Sequence, residues 1–544
     1  MEVHQKGNEI EIKFKYNPYL LSIVKGLFSR RYVPQTKSWF IPLAGAEQSL
    51  DALKKAGFKI DPQLFFALDE DKQKNKEAEL IASKNDIEFV SSLPLYNFQR
   101  VGAAFLDKIG SGILGDEPGG GKTLQVMALA EKNKAKKVLV FCPAVLKHQW
   151  EGEIHKFLPG SPVVVIEGNK KERSDLWSTE SVYYIANYEL LLRDFEQMDK
   201  EWDYIFADEA TKISSHNSKQ SKLIKKLRSK HRIAMTGTPI SNTAQNCWSL
   251  MEFCNPGCMG NYFNFINRYC IKNHWGSISS YQNLEQLRIE LKKYMIRRLK
   301  KDILPELPDR MEIDIPFVLS DEEKSLQKKI KQELLFEIDK MDISKLDKPM
   351  TIQYTIVKFL RLRQLADSME LLGENAKSSK LEVLKELLEE LITSDKQIII
   401  FSELSEMCKI LNRELCMYSP LMIIGETSDV KRQEIVRQFN NGESKILILS
   451  SAGQFGLNLQ ASDTIINYDL PLSIAKFEQR IGRAHRIGQK NSVMVYSLLG
   501  KGTADMAIKR IIYAKRKLSD DLLGELPIGM QDIKDMLEEQ EEPY

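Results

Sequence analysis

Residues 111–130 read SGILGDEPGGGKTLQVMALA. A short apolar run, SGIL, leads into Gly115-Asp116-Glu117-Pro118-Gly119-Gly120-Gly121-Lys122-Thr123, and an apolar helical pattern, LQVMALA, follows at once. Strand, glycine-rich turn, Lys-Thr and helix is the order in which bare backbone N–H groups at a positive helix end can wrap phosphate oxygens. In this reading Gly119, Gly120 and Gly121 form the cradle with Asp116. Lys122 neutralises the β- and γ-phosphates of ATP, and Thr123 offers its hydroxyl to Mg²⁺. The strict consensus asks for glycine where Asp116 stands, so the loop is a variant. A merely flexible turn would not place Gly-Lys-Thr between a strand and a helix.

Outward from the loop, the apolar strand DYIFA ends in Asp208-Glu209-Ala210-Thr211. At a strand's carboxyl end Asp208 is placed to hold the Mg²⁺ shell, and Glu209 to orient and deprotonate the attacking water. The pair is read as lying on a strand next to that of Lys122. Phosphoryl transfer also needs positive charge beyond the γ-phosphate. The stretch from Gln479 to Gln489, QRIGRAHRIGQ, supplies Arg483 and Arg486. Spaced three apart, they are expected on one helix face, pointing into an interdomain cleft; the alternative is a basic surface helix.

The whole chain has 544 residues, 43% apolar and 28% charged, with a net charge of +3. That length suggests several domains, and the near-balanced charge does not by itself indicate nucleic-acid binding. No apolar run approaches bilayer length, and MEVHQKGNEIEIKFKY has no signal-like core, so an intracellular protein without a membrane partner is expected, cytoplasmic or nuclear according to its source. Cys247, Cys254, Cys258 and Cys270 cluster near His274, but the spacing matches no usual zinc pattern, and buried or loop thiols are the reading.

Before the phosphate loop, EIEIKFKY and SWFIPL alternate around helical patterns, which indicates a small α+β module over 1–66. Residues 67–90 are charged and read as a solvated linker or an exposed helix. From 91 to 300, SGIL, KKVLVFCP, SPVVVIEG, SVYYIANYE, DYIFADE and HRIAMTGTP alternate with helices, the mark of a parallel sheet covered on both faces. Strand signals thin out over 301–375, read as a helical protrusion or linker. A second α/β block over 376–525 carries KQIIIFSE, LMIIGE, SKILILSS, SDTIINYD and SVMVYSLL, and 526–544 is an acidic tail. The fold class is therefore α/β: two tandem parallel-sheet domains with helical insertions and a small α+β front domain.

The order of these motifs resembles the superfamily-two helicase-like ATPases, and more closely the Swi/Snf-type DNA translocases, over about residues 93–515, which implies that the two tandem parallel-sheet domains are RecA-like. Gln99 in LYNFQRVGAAFL is similar to the family's adenine-sensing glutamine. FCPAVLKHQWEGEIHKF, with Pro143, resembles the next motif, and IANYELL, with Asn187, the strand that contacts the tracked DNA strand. MTGTPISNTAQNCWSLMEF, with Thr236, Thr238 and Asn242, resembles the element that couples nucleotide to DNA. MIRRLKKDILPELPDR, AGQFGLNLQASDTIINYDL and RIGRAHRIGQ are the Swi/Snf-like stretches. In them the resemblance gives Gly456 and Gln479 to the nucleotide, and it implies arginine fingers at Arg483 and Arg486. Three departures stand out: Thr211 replaces the family's histidine, Pro118 replaces a Met or Gly, and Gln454-Phe455 replaces a glycine pair.

The front module resembles the HARP domain of annealing helicases. Lys13, Lys15, Lys25, Arg30, Arg31 and Lys37 are interleaved with Tyr16, Tyr32, Trp39 and Phe40. Cations beside aromatics suit single-stranded or junction DNA, whereas the same aromatics could form a small core. The resemblance implies a DNA-dependent ATPase that uses ATP and Mg²⁺ and moves on duplex or branched DNA, with other DNA-bound proteins as further partners. A strand-separating helicase and an ATPase-poor scaffold for nucleic acid or RNA polymerase are the alternatives.

Overall fold

In the computed structural model the described residues are 1–7, 9–27, 30–43, 46–237, 244–272, 278–300, 308–340, 360–374, 377–451 and 457–521. They divide into two compact units, residues 1–303 and residues 304–521. No described helix is long and apolar enough to cross a membrane.

The first unit opens with a five-stranded mixed sheet: β1 (Glu2–Lys6), β2 (Glu9–Lys13), β3 (Arg31–Val33), β4 (Ser38–Pro42) and β5 (Lys59–Ile60), in spatial order β3-β4-β2-β1-β5. Strand periodicity sorts its side chains. Val3 lies opposite Ile12, and Ile10 opposite Ile41. These residues bury one face under helices α1 (Pro18–Gly26) and α2 (Glu47–Lys55), against Leu20, Val24, Leu50 and Leu53. Asn17 starts α1 by accepting the N–H groups of Tyr19 and Leu20, with Pro18 in the first turn.

Residues 63–82, most of them expected to belong to a solvated linker or exposed helix, form helix α3 (Gln63–Ala82). It is not a free linker. Leu64, Leu68 and Ala78 are buried, and Glu77 pairs with Lys108 on helix α4 (Asn97–Ile109), against which α3 packs. A sparse set of apolar residues sufficed to dock a helix that composition alone marks as polar.

A seven-stranded parallel sheet follows: β6 (Gly112–Leu114), β7 (Val138–Cys142), β8 (Val163–Val165), β9 (Tyr183–Asn187), β10 (Glu201–Asp208) and β11 (Arg228–Met235), then the hairpin β12 (Cys270–Lys272) and β13 (Ile278–Tyr281), and finally β14 (Met295–Ile296). The spatial order is β14-β6-β11-β10-β7-β9-β8. Alternate residues of each strand face two cores, Leu139, Phe141 and Ile205 on one side and Val138, Val140 and Phe206 on the other. That two-sided burial is why the strands read as unbroken apolar runs. The strand β14 lies inside a stretch read only as a motif.

The second unit is a six-stranded parallel sheet of β15 (Arg310–Phe317), β16 (Ile398–Ser402), β17 (Leu421–Ile423), β18 (Ile446–Ser450), β19 (Thr464–Asn467) and β20 (Val493–Gly500), ordered β15-β20-β19-β16-β18-β17. The strand β15 corrects the reading of 301–375 as a helical protrusion or linker. It pairs with β20 along its full length, from Arg310 opposite Val493 to Phe317 opposite Gly500. Its polar residues hid it because it is an edge strand, buried less completely than its neighbours. Helix Asp321–Lys340 follows it. The rest of the proposed protrusion lies largely outside the described residues, as does the acidic tail.

Candidate active site

Helix α5 (Lys122–Lys132) begins at Gly121, whose left-handed backbone, φ 69° and ψ 41°, suits a residue without Cβ. No side chain caps this end, so its first-turn N–H groups are left for an anion. A Cβ on Gly120 would lie 3.3 Å from the carbonyl of Glu117, so a larger residue would fit only with a small shift of the loop. Lys122 Nζ bridges the mouth of the loop, donating to the carbonyls of Asp116 at 2.8 Å and Glu117 at 3.4 Å. An uncapped helix end, a glycine turn and a lysine are the residue types that fit a nucleoside triphosphate.

Asp116 corrects its expected role. Its carboxylate is fully buried beneath the loop, accepting from Arg298 Nε at 2.9 Å, from Arg298 Nη2, and from Gln125 Nε2 at 3.0 Å. The acid that replaces the consensus glycine is thus an anchor for Arg298, two residues past β14, and only its carbonyl meets Lys122. Arg298 also reaches the carbonyl of Phe98 and Gln125 Oε1. A Cβ on Gly102 would collide with Gln125 Oε1, which explains the glycine inside α4. Gln99 is likewise committed. Its amide donates to the Gly120 carbonyl at 3.2 Å and accepts Tyr96 N at 3.0 Å, and the residue is buried. It holds the loop and caps α4 where an adenine contact was expected.

Asp208 ends β10. Its register partner on β11 is Met235, and Met235 pairs in turn with Leu114 of β6. Asp208 therefore stands level with the residue that enters the phosphate loop, across one intervening strand. The two strands are not neighbours, as expected from sequence, but about 10 Å apart. Trp150 Nε1 on helix α6 (Lys147–Phe157) donates to Asp208 Oδ2 at 2.9 Å, and Glu209 N donates to Oδ1 at 2.9 Å. Tyr188 donates its hydroxyl to the Asp208 carbonyl at 2.7 Å. Burial, with Asp208 next, pushes the Tyr188 phenol well up, so it stays a donor. Trp150 lies within FCPAVLKHQWEGEIHKF and Tyr188 within IANYELL, and no local spacing in the sequence links either to Asp208.

Glu209 adopts φ 48° and ψ 51°, the left-handed region that costs a side-chain-bearing residue about 1 kcal/mol or more. Such strain turns the glutamate off the strand axis at the sheet's carboxyl edge. Both Asp208 and Thr123 are partly exposed there, a carboxylate and a hydroxyl suited to a hard cation. Among the described residues no three His, Cys, Asp or Glu side chains gather to hold a metal alone. Cys254 and Cys270 are buried thiols, pushed by burial up to about 12 and about 11, and Cys254 donates to the Gly112 carbonyl at 3.2 Å. Cys247 and Cys258 share that core. His274 lies outside the described residues.

The same edge carries Pro143 after β7, Asn187 at the end of β9 and Thr236 after β11. Asn187 donates to Glu189 at 2.6 Å. Thr236 is buried, its N–H bonded to Leu114, so its side chain does not present itself to DNA as expected. A Cβ on Gly237 would come 2.8 Å from Pro118 Cδ, so the chain after Thr236 abuts the phosphate loop through Pro118. Thr238, Asn242, Gln454 and Gly456 lie outside the described residues.

In the second unit, Gln479 lies on helix Ile474–Ile481, but Arg483 and Arg486 do not share it. The helix ends at Gly482, and a chain of turns follows, with Arg483 N bonded to Arg480 O at 3.1 Å and Gln489 N to Arg486 O at 3.0 Å. The one-face expectation is thus replaced by a turn, set by Gln489. Its amide donates to the carbonyls of Ser462, Gln460 and Ala484 and accepts Lys490 N and Asn491 N. His485 Nε2 donates to Pro308 O at 2.9 Å. Arg480, fully buried, donates to Asn467 Oδ1, Asp469 O and Glu403 Oε1, and Arg310 of β15 grips Glu478 at 2.7 Å.

In the front module Trp39 pairs with Ile12 on the apolar face, packs on that core and contacts Tyr32 at 5.1 Å. It is half-buried against the core, which supports the small-core reading of this aromatic over the stacking one. Lys13 and Lys15 are exposed, Lys13 lying 3.2 Å from Glu11. Arg31 pairs with Glu9 at 2.8 Å, and Arg30 donates to Leu27 O. Tyr16 and Tyr19, 82% and 67% exposed, are the open aromatics beside them in the chain.

Residues 39–371 match the SNF2-related domain and residues 379–488 the helicase conserved C-terminal domain. The chain is 28% identical over 446 residues to an uncharacterized ATP-dependent helicase of Mycoplasma genitalium, covering 79% of this chain and 42% of the relative. It is 30% identical over 451 residues to the human SWI/SNF-related matrix-associated actin-dependent regulator of chromatin subfamily A member 1, covering 77% and 43%. It is 29% identical to a putative ATP-dependent helicase/translocase of Bacillus subtilis, covering 77% and 47%. The chain thus spans less than half the length of these relatives. A solved Sulfolobus solfataricus SWI2/SNF2 ATPase core in complex with dsDNA is 31% identical, with 80% of this chain and 94% of that one covered and a TM-score of 0.39. With a phosphate loop, an Asp-Glu pair level with it, and family matches that run through both parallel sheets, the chain belongs to the SNF2-related family of superfamily-two, Swi/Snf-type helicase-like ATPases.

Proposed function

We propose that the chain is a DNA-dependent ATPase that couples ATP hydrolysis to movement along duplex or branched DNA inside the cell, remodelling it, annealing it or displacing bound protein. The observation that carries this reading is the register that sets Asp208 level with the entrance to the phosphate loop, about 10 Å away. That is the span over which a triphosphate and its cation meet both. Family membership and the translocase named among the relatives point the same way.

In this mechanism Lys122 exchanges the carbonyls of Asp116 and Glu117 for the β- and γ-phosphates. Thr123 and Asp208 would hold Mg²⁺, which supplies charge neutralisation on the phosphates. Glu209 orients the attacking water and takes its proton. Arg483 and Arg486 supply positive charge as the transition state forms, and Gln479 and Gly456 complete the nucleotide contacts. Pro143, Asn187, Thr238 and Asn242 face the DNA, and Lys13, Lys15, Arg30 and Arg31 with Tyr16 and Tyr19 bind single strands or junctions.

The test is ATP hydrolysis with no nucleic acid, single-stranded DNA, duplex DNA, forked DNA and RNA in parallel, with triplex displacement as the readout of movement. Duplex DNA is expected to stimulate hydrolysis and support displacement, and Lys122→Ala to lower the rate by about 10²-fold or more. Stimulated hydrolysis without displacement would count against translocation. Efficient unwinding of a fork with one polarity would make the chain a strand-separating helicase, and absence of hydrolysis would make it a scaffold.

A further inference from the structure

The 3₁₀ turn Ala210–Ile213 leaves Glu209 and ends on a carbonyl that two buried hydroxyls grip. Ser221 Oγ donates to Ile213 O at 2.9 Å and Ser249 Oγ donates to it at 2.8 Å. The two serines lie 3.0 Å apart, both fully buried. Lys225 Nζ donates to Ser249 Oγ at 2.8 Å and sits 5.1 Å from the ring of Trp248. Ser221 lies on helix Lys219–Ile224 and Ser249 on helix Ala244–Cys254, which follows the Thr236 to Asn242 stretch in the chain. Thr211, by contrast, directs its hydroxyl back to the Glu209 carbonyl of its own loop, at 3.5 Å.

We infer that Ser249, Ser221 and Lys225 form a latch that positions the Glu209 loop on helix Ala244–Cys254, so that this latch relays nucleic-acid occupancy to hydrolysis. The inference rests on the reading of Glu209 as the residue that activates water. Three features carry it. The gripped atom is backbone, so its displacement moves the turn that fixes the left-handed Glu209. The grip is buried, so water cannot replace a lost donor. It also joins two helices, one of which begins at Ala244, two residues past Asn242, a residue proposed above to meet DNA. The amine contributes a cation where burial opposes one, lowering Lys225 to about 8 while Glu252 raises it part of the way back. These three are positioning residues, since none reaches the nucleotide loop.

The experiment measures basal and duplex-stimulated ATPase rates of the full chain, with kcat and KM for ATP separated and melting followed alongside. Ser249→Ala and Lys225→Met are each expected to leave basal kcat and KM within about twofold and to lower the stimulated kcat about fivefold. The double variant should lose no more than either single change, because one latch is broken once. A partly exposed Lys225 makes its variant the safer folder should Ser249→Ala melt near the assay temperature. Full stimulation in both variants, equal loss of basal and stimulated rates, or additive losses in the double variant would each overturn the latch. A wild-type chain that DNA does not stimulate at all would instead overturn the motor reading on which the latch depends.

Discussion

Asp116→Gly restores the consensus of a phosphate loop, and the structure says the restored protein is worse. The carboxylate removed is the partner of Arg298, whose side chain is only 12% exposed, and it also accepts from Gln125. Breaking one side of a buried ion pair strands the other charge and costs about 3–5 kcal/mol. Arg298 keeps the Phe98 carbonyl and Gln125 Oε1, which places the expected loss near the lower end, about 3 kcal/mol. At about 2–3 °C per kcal/mol for a unit of this size, the first unit's transition should fall by roughly 6–9 °C. Calorimetry resolves it, since the second unit's transition should stay in place. Asp116→Leu combined with Arg298→Met removes both charges and should recover most of the loss. A melting temperature for Asp116→Gly equal to or above wild type would refute the assignment of Asp116 as an anchor.

Other outcomes follow from the same geometry. Trp150→Phe removes the N–H that orients Asp208 Oδ2, so the Mg²⁺ concentration for half-maximal hydrolysis should rise about tenfold with the fold intact. Gln489→Ala strips partners from three carbonyls and two N–H groups, which should destabilise the second unit by about 3 kcal/mol in calorimetry while the first unit melts as before. Lys225, lowered to about 8 in the folded state and near 10.4 unfolded, binds fewer protons when folded between those values. Its contribution to stability therefore grows as pH rises from about 8 to 10. The stability difference between wild type and Lys225→Met should follow that rise by on the order of 2 kcal/mol, and a flat difference would contradict it.

The sequence by itself determined what local chemistry and period decide. Gly121 with Lys122 and Thr123 between strand and helix could be read because each requirement, a left-handed backbone and a free helix end, is met by adjacent residues. The apolar runs that became β7, β10, β16 and β18 could be read because burial on both faces demands side chains of one kind. Edge and docking elements escaped. The strand β15 keeps polar residues in its alternation, and α3 buries too few residues to look amphipathic. Tertiary structure alone decided that Asp116 belongs to Arg298, that Gln99 is spent on Gly120, that Trp39 packs inward, and that Arg483 and Arg486 stand on a turn stapled by Gln489. The reason is physical: a buried charge or amide takes whichever partner the fold delivers, and Asp116 finds its own 182 residues away, a distance at which sequence spacing carries no geometry.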